Sequence, residues 1–108
     1  MAYIQTNIES YKIHHFAGSD DFAAQVSCFG TTGKVVGTIT FHRDPTNILP
    51  NSHDLRQGIL LHMPLSTFTD AIATLRSEKP LFIFIYTDTG WGGIGTLGLE
   101  PVGEQEAV

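Results

Sequence analysis

A chain of 108 residues has the length of one domain, with room for a modest core but not for two. Hydrophobic content of 42% and charged content of 16% describe a folded protein and exclude a disordered one. The net charge of −5 argues against generic polyanion binding, and no apolar run reaches the length of a membrane span.

The opening residues MAYIQTNIESYK have neither the basic nor the apolar segment of a secretory signal. Cys28, the one cysteine, has no partner for an intrachain disulfide. Together these lead to the expectation of a cytoplasmic protein. Glu100, Glu104 and Glu106 carry most of the acidic imbalance, so residues 100–108 read as a frayed acidic tail on a nearly balanced body.

In chain order, residues 4–16 are apolar at Ile4, Ile8, Tyr11, Ile13 and Phe16, and read as a strand from Tyr11. The parity change at His14 and His15 predicts a bulge or the strand's end. Residues 17–21, with Asp20 and Asp21, form a polar turn. Residues 22–29 alternate and predict a strand, Gly30-Thr31-Thr32-Gly33 predicts a hairpin turn, and residues 34–42 its partner strand. Val35, Ile39 and Phe41 share one face of that partner; Val36, Thr38, Thr40 and His42 share the other. Residues 43–57 have no clear period, and so long a connection is more often functional or mobile than a mere spacer.

The stretch GILLHMPLSTFTDAIATLRSEKPLFIFIY, residues 58–86, reads as strand, amphipathic helix, strand. Leu65, Phe68, Ala71, Ile72 and Leu75 recur at helical spacing, which predicts a helix over about residues 65–78. Asp70 suits its N-terminal end, Arg76 and Lys79 its C-terminal end, and Pro80 cannot continue it. Residues 81–86 are apolar on both parities, which predicts a central strand covered on both sides. The helix would cover one side, with Phe68 facing Phe82, Ile83, Phe84 and Ile85. The other side calls for a second layer, which a short chain can find in another copy of itself. Residues 91–99, rich in glycine, would pair antiparallel with 81–86. The resulting fold class is α+β: a curved, mostly antiparallel sheet with one principal helix.

Zinc ligands usually come in short paired spacings, and His14, His15, His42, His53 and His62 offer none. Adjacent His14 and His15 point to opposite faces, so at most one could join His42 or His62 at a shared site. Cys28 sits in line with Ala24 and Val26 and reads as an inert buried thiol. Asp20 and Asp21 could bind a cation, but the reading as a turn is favoured. The glycines around Trp91 lack the following helix that a phosphate loop needs. Trp91, at a turn mouth, could stack on a ligand, but the reading as a lid on the core is favoured. No nucleophile–base spacing or carboxylate pair stands out. The expectation is a non-enzymatic, homo-oligomeric binding module with no catalytic residue, metal or cofactor.

The strand AAQVSCFG, a glycine turn, the strand KVVGTITFHRD, a long polar loop, the strand QGILLHMPLS and an amphipathic helix follow in order over residues 23–79. In element order and loop placement this resembles the fold shared by Whirly proteins and the positive coactivator of transcription. The resemblance implies single-stranded DNA binding and assembly through helices into dimers or tetramers. It would place Lys34, Arg43 and Arg56 along the hairpin and long loop as the nucleic-acid-binding residues, with His42 and His53 nearby.

Overall fold

The computed structural model describes residues 2–18, 21–77 and 81–96. The chain is α+β, as expected, but its strands form two sheets rather than one. The first strand, β1 (Tyr3–Ile8), leads across Glu9 directly into β2 (Ser10–His15). β3 (Phe22–Phe29) and β4 (Val35–His42) form the predicted hairpin. The long connection contains a short strand, β5 (Ser52–Asp54), before β6 (Gly58–Pro64). A 3-10 turn (Leu65–Thr67) opens into α1 (Phe68–Ser77), followed by β7 (Leu81–Tyr86) and β8 (Trp91–Thr96).

The larger sheet has five strands in the order β2-β3-β4-β6-β5, and the smaller has three in the order β1-β7-β8. All pairs are antiparallel except β4 and β6. Of the two outcomes expected at His14 and His15, the strand's end is the one that forms: β2 stays paired with β3 through His15 and stops there, without a bulge. A further break falls at Glu9, whose N–H donates to the Phe29 carbonyl.

One core serves both sheets and the helix. From the large sheet it takes Ala24, Val26, Cys28, Ile39, Phe41, Ile59 and Leu61. From the small sheet it takes Ile8, Leu81, Ile83 and Ile85, and from α1 it takes Ala71, Ile72 and Leu75. These positions follow the two-residue period of strands and the three- to four-residue period of the helix. Burying a side chain of this size is worth roughly 1.5–3 kcal/mol. Cys28 is fully buried, and burial pushes its thiol up to about 12, so it is the inert thiol expected.

The helix and the small sheet sit side by side on the same face of the large sheet. Phe68 is half-buried with its ring edge-on to Phe41 at 5.0 Å and beside His15 at 5.3 Å. It does not oppose Phe82 and Phe84, because those rings project from the far face of β7. No helix among the described residues is long and apolar enough to cross a membrane. The tail 100–108 lies outside the described residues.

Candidate functional sites

The outward face of the small sheet is a pavement of rings. Register puts Tyr3, Gln5 and Asn7 of β1 opposite Tyr86, Phe84 and Phe82 of β7, and these opposite Trp91, Gly93 and Gly95 of β8. Tyr3, Phe82, Phe84, Tyr86 and Trp91 touch in series, with ring centroids 4.8–6.4 Å apart. The glycines let the rings lie down: a Cβ on Gly95 would stand 2.9 Å from Phe82 Cζ. The inward residues Leu81, Ile83 and Ile85 are buried, whereas Phe82, Phe84 and Tyr86 remain half-exposed. The expectation that β7 is covered on both sides is therefore met on one side only by the described residues. Trp91 is 63% exposed, so it does not act as a lid.

A second constellation lies on the outward face of the large sheet. His42, at the end of β4, is 1% exposed although it points away from the core. Phe22 stands edge-on to its ring at 5.2 Å, and His62 of β6 lies beside it. Asp21 Oδ2 is 2.6 Å from His42 Nδ1, and His42 Nε2 is 2.9 Å from His62 Nδ1. An ionised carboxylate accepts only, so His42 Nδ1 carries a hydrogen and donates it to Asp21. In the neutral ring Nε2 is then an acceptor, and His62 donates from Nδ1. This leaves the lone pair of His62 on Nε2.

Backbone contacts hold this chain of groups in place. Asp21 Oδ1 accepts the Asp44 N–H at 2.9 Å, and the Asp21 carbonyl accepts the Arg43 N–H at 2.8 Å. The Arg43 guanidinium donates to the Phe22 and Phe16 carbonyls, tying the two loops around Asp21. Asn51 Oδ1 accepts the His62 N–H at 2.7 Å, while its Nδ2 donates to the Gly90 carbonyl at 2.9 Å. The hydrogen bond from His42, then that from Asp44, hold the Asp21 carboxyl below its usual range. Burial, then the neighbouring His42, push His62 below the usual imidazole range, so it is neutral at pH 7.

The residues singled out from sequence are dispersed. Because β4 and β6 are parallel, Lys34 before β4 and Arg56 before β6 lie at the same end of the large sheet. Arg43, beyond the other end of β4, is separated from them by roughly 25 Å of strand. His14 points outward on β2, His15 inward toward Phe68, and His53 lies exposed on β5. Among the described residues, no group of three or more His, Cys, Asp or Glu is arranged to hold a metal ion.

The reading of Asp20 and Asp21 as a turn missed the role of Asp21, since Asp21 supplies the carboxylate to His42. The hairpin register carried that signal: strands closed at residues 30–33 put the residue preceding β3 beside the residues that end β4. Comparison of the chain with family models, with curated proteins and with solved structures finds no match.

Proposed function

We propose that this chain is a binding module that works as a homo-oligomer, closing the aromatic face of its small sheet against a second copy. The observation that carries the reading is the half-exposed outward parity of β7, Phe82, Phe84 and Tyr86, continued by Tyr3 and the exposed Trp91. The occupant follows from charge. The net charge of −5 disfavours a close second copy in general, but this face bears no charged residue among those described. The aromatic surfaces of two copies can therefore meet without repulsion across the contact.

Single-stranded nucleic acid, the alternative, would gain stacking from these rings but, among the described residues, no phosphate partner on the same face. Lys34, Arg43 and Arg56 all lie on the large sheet's connections.

Three short strands span roughly 15 by 20 Å, which is small for a protein interface and predicts weak, concentration-dependent association. Light scattering should give a mass that rises from monomer toward dimer between about 5 and about 300 µM, the range of a micromolar Kd. Trp91→Asp, at an exposed position, should return the mass to monomer without lowering Tm. A monomer throughout the series overturns the reading. Anisotropy titration with a short oligonucleotide at two salt concentrations separates the alternative, because phosphate contacts weaken steeply with salt.

A further inference from the structure

We propose that Asp21, His42 and His62 form a catalytic relay in which His62 Nε2 is a nucleophile toward activated carboxylic esters. This goes beyond self-association and uses the opposite part of the molecule.

The geometry is that of a nucleophile, a base and an orienting carboxylate in series. His42 Nε2 is 2.9 Å from the nucleophilic ring, within reach to take its proton, and His42 Nδ1 is 2.6 Å from the orienting carboxylate. In serine hydrolases the third member is a hydroxyl, whose proton passes to the histidine as the oxygen attacks. Here the third member is an imidazole, and the two functions are divided between its nitrogens: Nε2 attacks while Nδ1 releases the proton.

Nε2 is also available. No residue pairs with it, and no buried side-chain nitrogen is left without a partner among the described residues, so this nitrogen meets solvent. His42 is the reverse case: both of its nitrogens are engaged and its ring is buried. Fixed tautomers, a sequestered base and an open terminal lone pair are the requirements for directional proton transfer away from the reacting atom.

The step balances without a further reagent. His62 Nε2 forms a bond to the acyl carbon, and the ester C–O bond breaks. The His62 Nδ1 proton moves to His42 Nε2, leaving a neutral N-acylimidazole on His62 and an imidazolium on His42 against the Asp21 carboxylate. The departing alkoxide or phenoxide takes up that proton or leaves as its anion. Water then cleaves the acylimidazole, releasing the carboxylic acid and restoring His62. Asp21 and His42 position and relay; His62 alone touches the substrate.

The probe is 4-nitrophenyl acetate, followed by release of 4-nitrophenolate. His62→Gln should reduce turnover to the background of the exposed histidines, whereas His53→Gln should leave it unchanged. Asp21→Asn should lower turnover about tenfold or more, since it removes the acceptor that fixes the His42 tautomer. A merely structural Asp21 would not alter tautomers. Nitrogen-15 NMR of labelled parent protein therefore gives an independent readout, expected to show His62 protonated on Nδ1 and bare on Nε2, and Asp21→Asn should disturb that pattern while the rest of the spectrum stays folded. Equal turnover by parent and His62→Gln overturns the proposal, and so does a parent His62 protonated on Nε2 at neutral pH. Trp91→Asp, which tests self-association, should retain turnover, so the two readings fail separately.

Discussion

Gly37 is the seat of Ile83: a Cβ built on Gly37 would stand 2.6 Å from Ile83 Cδ1 and 2.9 Å from the Ile59 carbonyl oxygen. The small sheet descends onto the large one at the one position of β4 that carries no side chain. Ile83 could rotate away from an added methyl, but the Ile59 carbonyl belongs to the β4–β6 ladder and cannot. Gly37→Ala should therefore cost about 1–3 kcal/mol by overpacking. Gly93→Ala, whose nearest neighbours are Phe84 ring atoms at 3.5 and 3.6 Å, makes only ordinary contact and should be tolerated. Thermal melts of the two variants test the contrast, and equal Tm values would contradict it.

Phe68 gives a second contrast. Its half-buried ring bridges α1 to Phe41 and His15, so Phe68→Ala should cost about 3 kcal/mol, the lower end of the range for a buried phenylalanine. Thr74 bonds only back to the Asp70 carbonyl within the helix. Thr74→Ala should change stability by less than about 0.5 kcal/mol, because alanine is the better helix former. Urea midpoints at constant slope would measure both.

Asn51 ties β6 to the turn between β7 and β8 through its two amide atoms. Asn51→Asp keeps the acceptor for the His62 N–H but replaces the donor to Gly90 with an oxygen facing an oxygen. A loss of about 1–3 kcal/mol is expected, with Asn51→Ala losing both bonds and a similar amount. If Asn51→Asp melts like the parent at neutral pH, the bridge contributes nothing.

The two shifted groups of the relay predict how stability depends on pH. His62 faces His42 and Asn51; Asp21 faces His42, the Asp44 N–H and Arg43. As pH falls through about 6.5, the unfolded chain protonates His62 while the fold, with its depressed value, does not. Stability therefore declines from about pH 6.5 downward until the folded value is passed. Asp21 acts in the same direction lower on the scale: its contribution is present above about pH 4 and is lost as pH falls through its depressed folded value. Denaturation midpoints across pH should show both declines, the upper one flattened in His62→Gln and the lower in Asp21→Asn.

What could be read from the sequence follows from how local each signal is. The hairpin of β3 and β4, the helix face with Ala71, Ile72 and Leu75, and the pairing of β7 with β8 are all set by neighbours in sequence. Periodicity and turn residues announce them. The division into two sheets is not local, since it turns on Glu9, a residue that carries no turn signal. β7 misled because apolar residues on both parities resemble full burial, whereas its outward set is aromatic and only half-covered. Asp21 was within reach of hairpin register, but His62 was not. It meets His42 through a parallel pairing made across residues 43–57, and nothing in that connection specifies the register.

The single run from Tyr3 to His15 that serves both sheets has a consequence for how the protein folds. β2 pairs with β3 a few residues downstream, so that edge can form early. β1 must wait for β7, where Tyr3 meets Tyr86 after 83 intervening steps of chain. During synthesis and refolding, Tyr3 to Ile8 is therefore a strand held out beside a growing sheet, with its hydrogen-bonding edge unpaired. Contacts of such long separation slow folding, and an unpaired strand invites pairing with the same strand of another molecule. Refolding yield should accordingly fall as protein concentration rises, even under conditions in which the finished fold is stable.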